Sequence, residues 1–193
     1  SCSYVTVDIA RFDEPVQLDG VATAPAVGAP LMWGVGPDEV GDFGSRSGYT
    51  WLILGLHASA ESADAVFDAG PDACFAGAAE TWSAVLQPFS HRGDVNWIDG
   101  ADAETRFGIG PAPADGEPFA VITSAGWTLD ERFDIDKALD FGRGVSDVRS
   151  GMDAADGLFF QHVFNFDADL ILDGATVTLW RDDRAMRAFA YRP

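Results

Sequence analysis

Three histidines hold most of the chemistry this chain can offer, and His162 has the most suggestive neighbours. In the run LFFQHVFNF, residues 158 to 166, alternation with a period of two places Phe160, Phe164 and Phe166 on the face of His162. A neutral imidazole among aromatic rings can act as a ligand, line a pocket, or sit as a core or interface histidine with one hydrogen bond. His57 ends an apolar run at a turn and is expected to be solvated. His91 and Arg92 are adjacent, a pair suited to an anionic group. Arg143, between Gly142 and Gly144, is a second candidate anion contact. Glu80 has no carboxylate partner nearby in sequence, which argues against a general acid, and a salt bridge to Arg92 is its structural alternative.

Several chemistries are missing from the motif inventory. There is no Gly-x-Ser-x-Gly, no Cys-His pair in a recognised order, no zinc spacing and no paired-carboxylate signature. The Asp-rich stretches 134–140 and 167–173 lack the ligand order and glycine of a calcium loop. The Gly-rich stretch 36–48 has neither the Lys-Ser/Thr ending of a phosphate loop nor the G-x-G-x-x-G order, so it reads as a turn region. Cys2 and Cys74 are too few for a disulfide scaffold, which points to a reducing, cytoplasmic setting.

Short strands and helices must position these residues. Tyr4 to Ala10, Leu31 to Val35 and Tyr49 to His57 read as strands, the last nearly continuous in apolar residues and therefore buried. Phe12 to Pro30, with three prolines, leaves room for a short helix at most. Ser59 caps a helix from Ala60 to Ala69. The apolar spacing of Ala78, Ala79, Trp82, Val85 and Leu86 predicts a second helix over 73–86. In the second half, Phe119 to Trp127 and Leu158 to Phe166 read as strands, Phe133 to Ser150 as a helix, and Asp167 to Gly174 as a turn region.

The closing sentence ATVTLWRDDRAMRAFAY, 175–191, is a strand, an acidic turn and a helix. The same pattern occurs at 51–67 as WLILGLHASAESADAVF, and a shift of 123 residues places Leu56 on Leu179 and Ala65 on Ala188. A unit repeated over half the chain implies two copies of one supersecondary motif. Residues 1–100 form the first copy, the Pro/Gly-rich stretch 101–117 a linker, and 118–193 a second copy lacking its closing strand. Each half reads β-α-β-β-α, the split plan of a ferredoxin-like unit. The expected fold is α+β, two fused ferredoxin-like repeats forming an α/β barrel, each sheet covering the other's open face.

Composition sets the outer bounds. At 193 residues and 47% hydrophobic, the chain is long and apolar enough for a real core. Its net charge of −19 comes from 24 Asp and 7 Glu against 11 Arg and one Lys. Such a field repels nucleic acid and anionic lipid. No apolar run is long enough to span a bilayer, and SCSYVTVDIARF lacks the pattern of a signal peptide. Peripheral membrane contact and the oligomeric state are left open by the sequence.

Three pieces resemble the spheroidene monooxygenase family, carotenoid ketolases related to the antibiotic-biosynthesis monooxygenases. AAETWSAVLQPFSHRG at 78–93 is similar to the family's central helix and its exit. The closing TLWRDDRAMRAFAY is similar to the family's strand, Trp, acidic turn and final helix. Leu31 to Val35, Trp51 to Ser59 and Phe119 to Trp127 match in order and spacing. The resemblance implies oxygenation of a lipophilic, carotenoid-type substrate, with haem as the oxygen-activating cofactor. His162 would then be the candidate iron ligand, with Arg92 and Arg143 as candidates for the propionates. Trp33, Trp82, Trp127, Phe160, Phe164 and Trp180 would line the substrate slot, the alternative for each being a place in the core. The chain departs from the family pattern at Asp173, where a His is expected. A non-catalytic small-molecule binder and a cofactor-free oxygenase are the competing readings on the same fold.

Overall fold

The computed structural model describes residues 3–17, 31–36, 48–70, 75–92, 109–128, 134–166 and 171–191. Of residues 31–36, 125–128, 166 and 171–173, only the backbone is described. The chain divides into two compact units, Ser1–Gly36 with Arg46–Ala112, and Pro37–Ser45 with Pro113–Pro193. Its class is α+β, with antiparallel strands and three helices among the described residues.

The first unit holds β1 (Tyr4–Val16), β2 (Leu31–Gly36), β3 (Gly48–His57), α1 (Ala60–Ala69) and β4 (Glu80–Leu86). β3 pairs with both β2 and β1, and β1 pairs on its other side with β4, all antiparallel. β1 outruns the expected strand by six residues, with a register shift between Arg11 and Val16. Residues 18–30 lie outside the described residues, so the short helix expected there is not addressed.

Opposite residues of an antiparallel ladder share a face, which sorts this sheet into two sides. Val5, Val7, Ile9, Leu52, Leu54 and Leu56 occupy one side and are all buried. The other side carries Ala10, Phe12, Trp51 and Ile53, which pack with Phe75 into a core cluster. Phe12 and Phe75 meet edge to face at 6.5 Å. The Trp51 indole N–H is shared between the carbonyls of Val16 and Gly48, both at 3.2 Å, which fixes the start of β3 against the end of β1.

The helix expected over 73–86 is corrected. Residues 80–86 form β4, an edge strand paired residue for residue with Val5–Arg11. The apolar spacing there fits a helix as well as a strand, and pairing with β1, about 75 residues away, decides between them. Two side-chain links reinforce that register, from the Ser83 hydroxyl to Asp8 and from Arg11 Nε to Glu80 at 3.2 Å.

The second unit holds β5 (Phe119–Thr128), α2 (Ile135–Met152), β6 (Leu158–Phe166), β7 (Ile171–Trp180) and α3 (Asp183–Ala190). β7 pairs antiparallel with β5 on one side and β6 on the other. β7 starts four residues before the expected strand and passes through Gly174. A Cβ on Gly174 would stand 3.0 Å from the Phe164 carbonyl oxygen, so glycine there permits close backbone approach rather than a turn.

The strand-helix repeat is visible residue by residue. Gly48 and Ile171 open, and His57 and Trp180 close, strands 123 residues apart. The helix caps Ser59 and Asp182 are separated by the same 123 residues. Each cap side chain accepts a backbone N–H three residues on, from Ser62 and from Ala185. In both units the first strand pairs with the third and the third with the second.

Candidate functional site

The sheet of the second unit presents two chemically different faces. One touches the helices: Gln161 Nε2 donates to the Arg149 carbonyl (3.2 Å) and to Asp153, both on or at the end of α2. On that face the Trp180 ring lies 5.8 Å from Phe189 of α3. By register the opposite face carries Phe160, His162 and Phe164 of β6, Ala175, Val177 and Leu179 of β7, and Ala120, Ile122 and Ser124 of β5. Phe164, Ala175 and Val177 are fully buried, and the others half-buried.

His162 is the distinctive group there. Its ring lies between Phe160, at 6.3 Å, and Phe164, met edge-on at 5.0 Å. Its Nε2 is buried and makes no hydrogen bond among the described residues. Burial, with a smaller contribution from the Arg149 charge, pushes its pKa down from 6.5 to about 4. At neutral pH it is therefore an uncharged imidazole with one nitrogen available. Such a group can ligate, accept a hydrogen bond, or donate one, according to tautomer.

The remaining predicted site residues do not gather around it. Trp180 is 2% exposed and on the helix face, its indole N–H bonded to Thr178 Oγ1 at 2.9 Å, so it belongs to the core of the second unit. Arg143 is on α2, pairs with Asp140 at 2.7 Å and is well exposed. Arg92 is an exposed residue of the first unit. Trp82 belongs to β4 of that unit, opposite Ile9, and is 40% exposed. Trp33 pairs with Ile53 and Trp127 with Leu172 in the ladders, and their side chains fall outside the description. The alternative Glu80–Arg92 salt bridge is replaced by Glu80–Arg11. Because β4 is a strand, Glu80 and Trp82 share a face, where a helix would have separated them.

His57 is a correction of another kind. It is 2% exposed, with Nε2 3.0 Å from Thr6 Oγ1 and Nδ1 3.0 Å from Ser62 Oγ. Burial lowers its pKa. The imidazole thus ties β1, β3 and α1 together instead of meeting solvent. The Thr6–His57 bond also explains Gly55, because a Cβ there would lie 2.5 Å from Thr6 Oγ1 and 2.9 Å from His57 Nε2. Thr6 is 51 residues from His57, so no local pattern reveals the partnership.

Sequence reasoning also missed Ser124. It is half-buried and sits on the face of His162. The signal would have been the period-two pattern of FAVITSAGW, once the core face of β5 is known. No group of three or more His, Cys, Asp or Glu able to hold a metal ion occurs among the described residues. No helix among them is long and apolar enough to cross a membrane.

No family model matches the chain, and no curated protein matches it. Solved structures do align along all of it. A candidate monooxygenase from Lactobacillus acidophilus NCFM aligns at 11% identity and a TM-score of 0.33, with 100% of this chain and 83% of that one covered. An anthrone oxidase-like protein aligns at 13% and 0.36, covering 100% and 79%. A candidate monooxygenase from Fusobacterium nucleatum subsp. nucleatum aligns at 10% and 0.34, covering 100% and 82%. The chain thus has a distant structural similarity to proteins so named, and at these scores and identities the likeness carries no argument about what it does.

Proposed function

We propose that this chain is an oxygenase of the antibiotic-biosynthesis-monooxygenase kind, acting on a lipophilic small molecule at the His162 face of the second unit. In this reading the two repeats are ferredoxin-like and together form an α/β barrel. The observation that carries it is the half-buried, uncharged His162, whose Nε2 is buried and unbonded, on a face it shares with Phe160, Phe164 and Val177. A buried polar atom without a partner is uncommon, and a ligand is one physical reason for keeping it. The motif resemblance extends the reading to a carotenoid-type substrate and to haem. The absence of a nucleic-acid partner belongs to the same reading, supported by the charge of −19, as does a cytoplasmic location, supported by the low cysteine count.

The residues fit haem in one respect only. His162 could hold an iron without first losing a proton, and haem, when bound, would supply oxygen activation. Arg143 does not fit as a propionate partner, since it is paired with Asp140 on a helix behind the sheet. That pairing favours a second reading, in which His162 contacts the substrate directly in a cofactor-free oxygenase or a non-catalytic binder.

The deciding experiment is an absorption titration of the purified chain with haemin, combined with oxygen uptake on a lipophilic substrate. A Soret band saturating at one haem per chain and lost in His162→Ala supports the haem form. Oxygen uptake without any band supports the cofactor-free form. If neither band nor uptake is found, the oxygenase reading falls.

A further inference from the structure

The helix α2 carries more apolar surface than its own sheet covers. Of its 18 residues, Ala138 and Gly142 are the buried ones. Ten large apolar side chains are exposed among the described residues, and four of them, Ile135, Leu139, Phe141 and Val148, are on this one helix. Phe141, Val145, Val148 and Met152 follow at spacings of four, three and four, which sets them in a single stripe along the helix. Phe141 and Val148 are 43% and 50% exposed, and Val145 and Met152 are half-buried. A solvent-facing helix has no reason of its own to repeat apolar residues in this way, and such a stripe marks a contact surface.

We propose that this stripe is a seam on which a second copy of the chain docks, α2 against α2, in a weak two-fold dimer. The seam is separate from the His162 face, because α2 meets the sheet through Gln161, on the opposite side.

Charge selects the occupant. The chain as a whole carries −19, so two copies repel each other over most of their surface. Within α2, Asp136, Asp140 and Asp147 are balanced by Lys137, Arg143 and Arg149. At about 100° per residue, the three aspartates cluster roughly 130° around the helix from the centre of the stripe. Lys137, the one lysine of the chain, flanks the stripe instead. This is therefore a face on which two acidic copies can meet without bringing carboxylates together.

The stripe is also complementary to itself. A two-fold pairing makes every contact twice, residue i on j and j on i. With the helices antiparallel and centred between Gly144 and Val145, Phe141 of one protomer falls opposite Val148 of its partner, and the reverse. Gly144 then sits at the crossing, where a Cβ would meet nothing within 4 Å, so the two backbones have room to approach. A helix of this length presents a face roughly 27 Å long and 10 Å wide. That is well below the ~800 Å² per partner of a standard interface. The dissociation constant is accordingly expected at about 10–100 μM, with monomer at low concentration.

The test is sedimentation equilibrium of the full chain from about 5 to 500 μM, with melting curves of every variant to report folding. The wild type should rise from the mass of one chain towards two. Val148→Asp should stay monomeric throughout. Gly144→Leu should weaken association at least tenfold while raising the melting temperature, since leucine is the better helix former, so lost folding cannot explain that loss. Leu139→Asp, on the other flank of the helix, should leave association unchanged. Combining Phe141→Arg with Val148→Asp should restore it, because the two-fold sets those positions opposite each other. A wild type that is monomeric at every concentration overturns the proposal, as does association that survives Val148→Asp or is lost equally in Leu139→Asp. A monomer that instead floats with phosphatidylcholine vesicles, and no longer does so in Val148→Asp, gives the seam to a lipid surface and overturns it too.

Discussion

His57 and Trp180 occupy the same place in the two repeats, each the last residue of its strand, each 2% exposed, each hydrogen-bonded to a threonine hydroxyl. The partner is Thr6 on the neighbouring strand in one case and Thr178 on the same strand in the other. Both side chains also reach the following helix, His57 through Ser62 and Trp180 through Phe189. One repeat thus docks its helix by a polar relay, the other by an aromatic stack.

The polar relay makes Gly55 the most sensitive small residue of the first unit. Gly55→Ala should displace Thr6 or His57 and lower stability by about 1–3 kcal/mol, the range for a buried polar group left unpaired. Adding Thr6→Ala should recover part of that loss, because the clash then has room to relax. Urea unfolding of the two single variants and the double variant measures the coupling. Independent, additive losses would show that the clash at Thr6 is not the cause.

The aromatic stack gives a prediction that separates core from pocket. Trp180→Ala should cost about 3–5 kcal/mol, the usual cost of removing a large buried aromatic side chain. Trp180→Phe should lower the melting temperature while leaving the haemin titration unchanged, because Trp180 is on the face away from His162. An affinity change in Trp180→Phe at unchanged stability would return Trp180 to the pocket.

Stability should fall with acid in a window set by His162. Its folded pKa, about 4, is below its ordinary 6.5, so the unfolded chain takes up the proton first as pH falls. The stabilisation is complete above pH 6.5 and is lost progressively down to about pH 4, amounting to about 3 kcal/mol. His162→Leu should flatten this part of the stability–pH curve relative to wild type, as read by urea unfolding at several pH values. Parallel curves for the two proteins would mean that His162 is not held neutral by burial.

The helix caps are equivalent in place and should be equivalent in effect. Ser59→Ala should cost about 1 kcal/mol, the ordinary value for a lost N-cap. Asp182→Ala should also destabilise, and it additionally frees Arg181, which binds Asp182 and Asp156. Hydrogen exchange should show the loss localised to α1 in the first case and α3 in the second. Exchange rates unchanged at both helix starts would contradict the capping geometry.

Much of the fold could be read from local sequence, and the reasons are visible in particular residues. β3 with α1 and β7 with α3 were legible because an apolar run, a cap and an amphipathic helix follow in order, twice. β6 and its His162 face were legible from simple alternation. β4 was misread because its apolar residues satisfy both periods and only its pairing with β1 discriminates. His57 was misread because its hydrogen-bond partner Thr6 is far away in sequence. Trp180, Arg143 and His162 looked like one site because sequence does not say which face of a sheet a helix will cover; α2 and α3 cover the one that carries Trp180.

The strand register, shifted by 123 residues, matches Met32 to His162 and Ile9 to Ser124, which has a consequence for counting. A symmetric pair of identical chains carries every side chain twice, so it cannot place a polar group in one half and an apolar group in the other. A chain with two repeats escapes that constraint: its repeats can differ, and here one carries Met32 and Ile9 where the other carries His162 and Ser124. Occupancy should therefore be one molecule per chain, with a single defined orientation, rather than two related by symmetry.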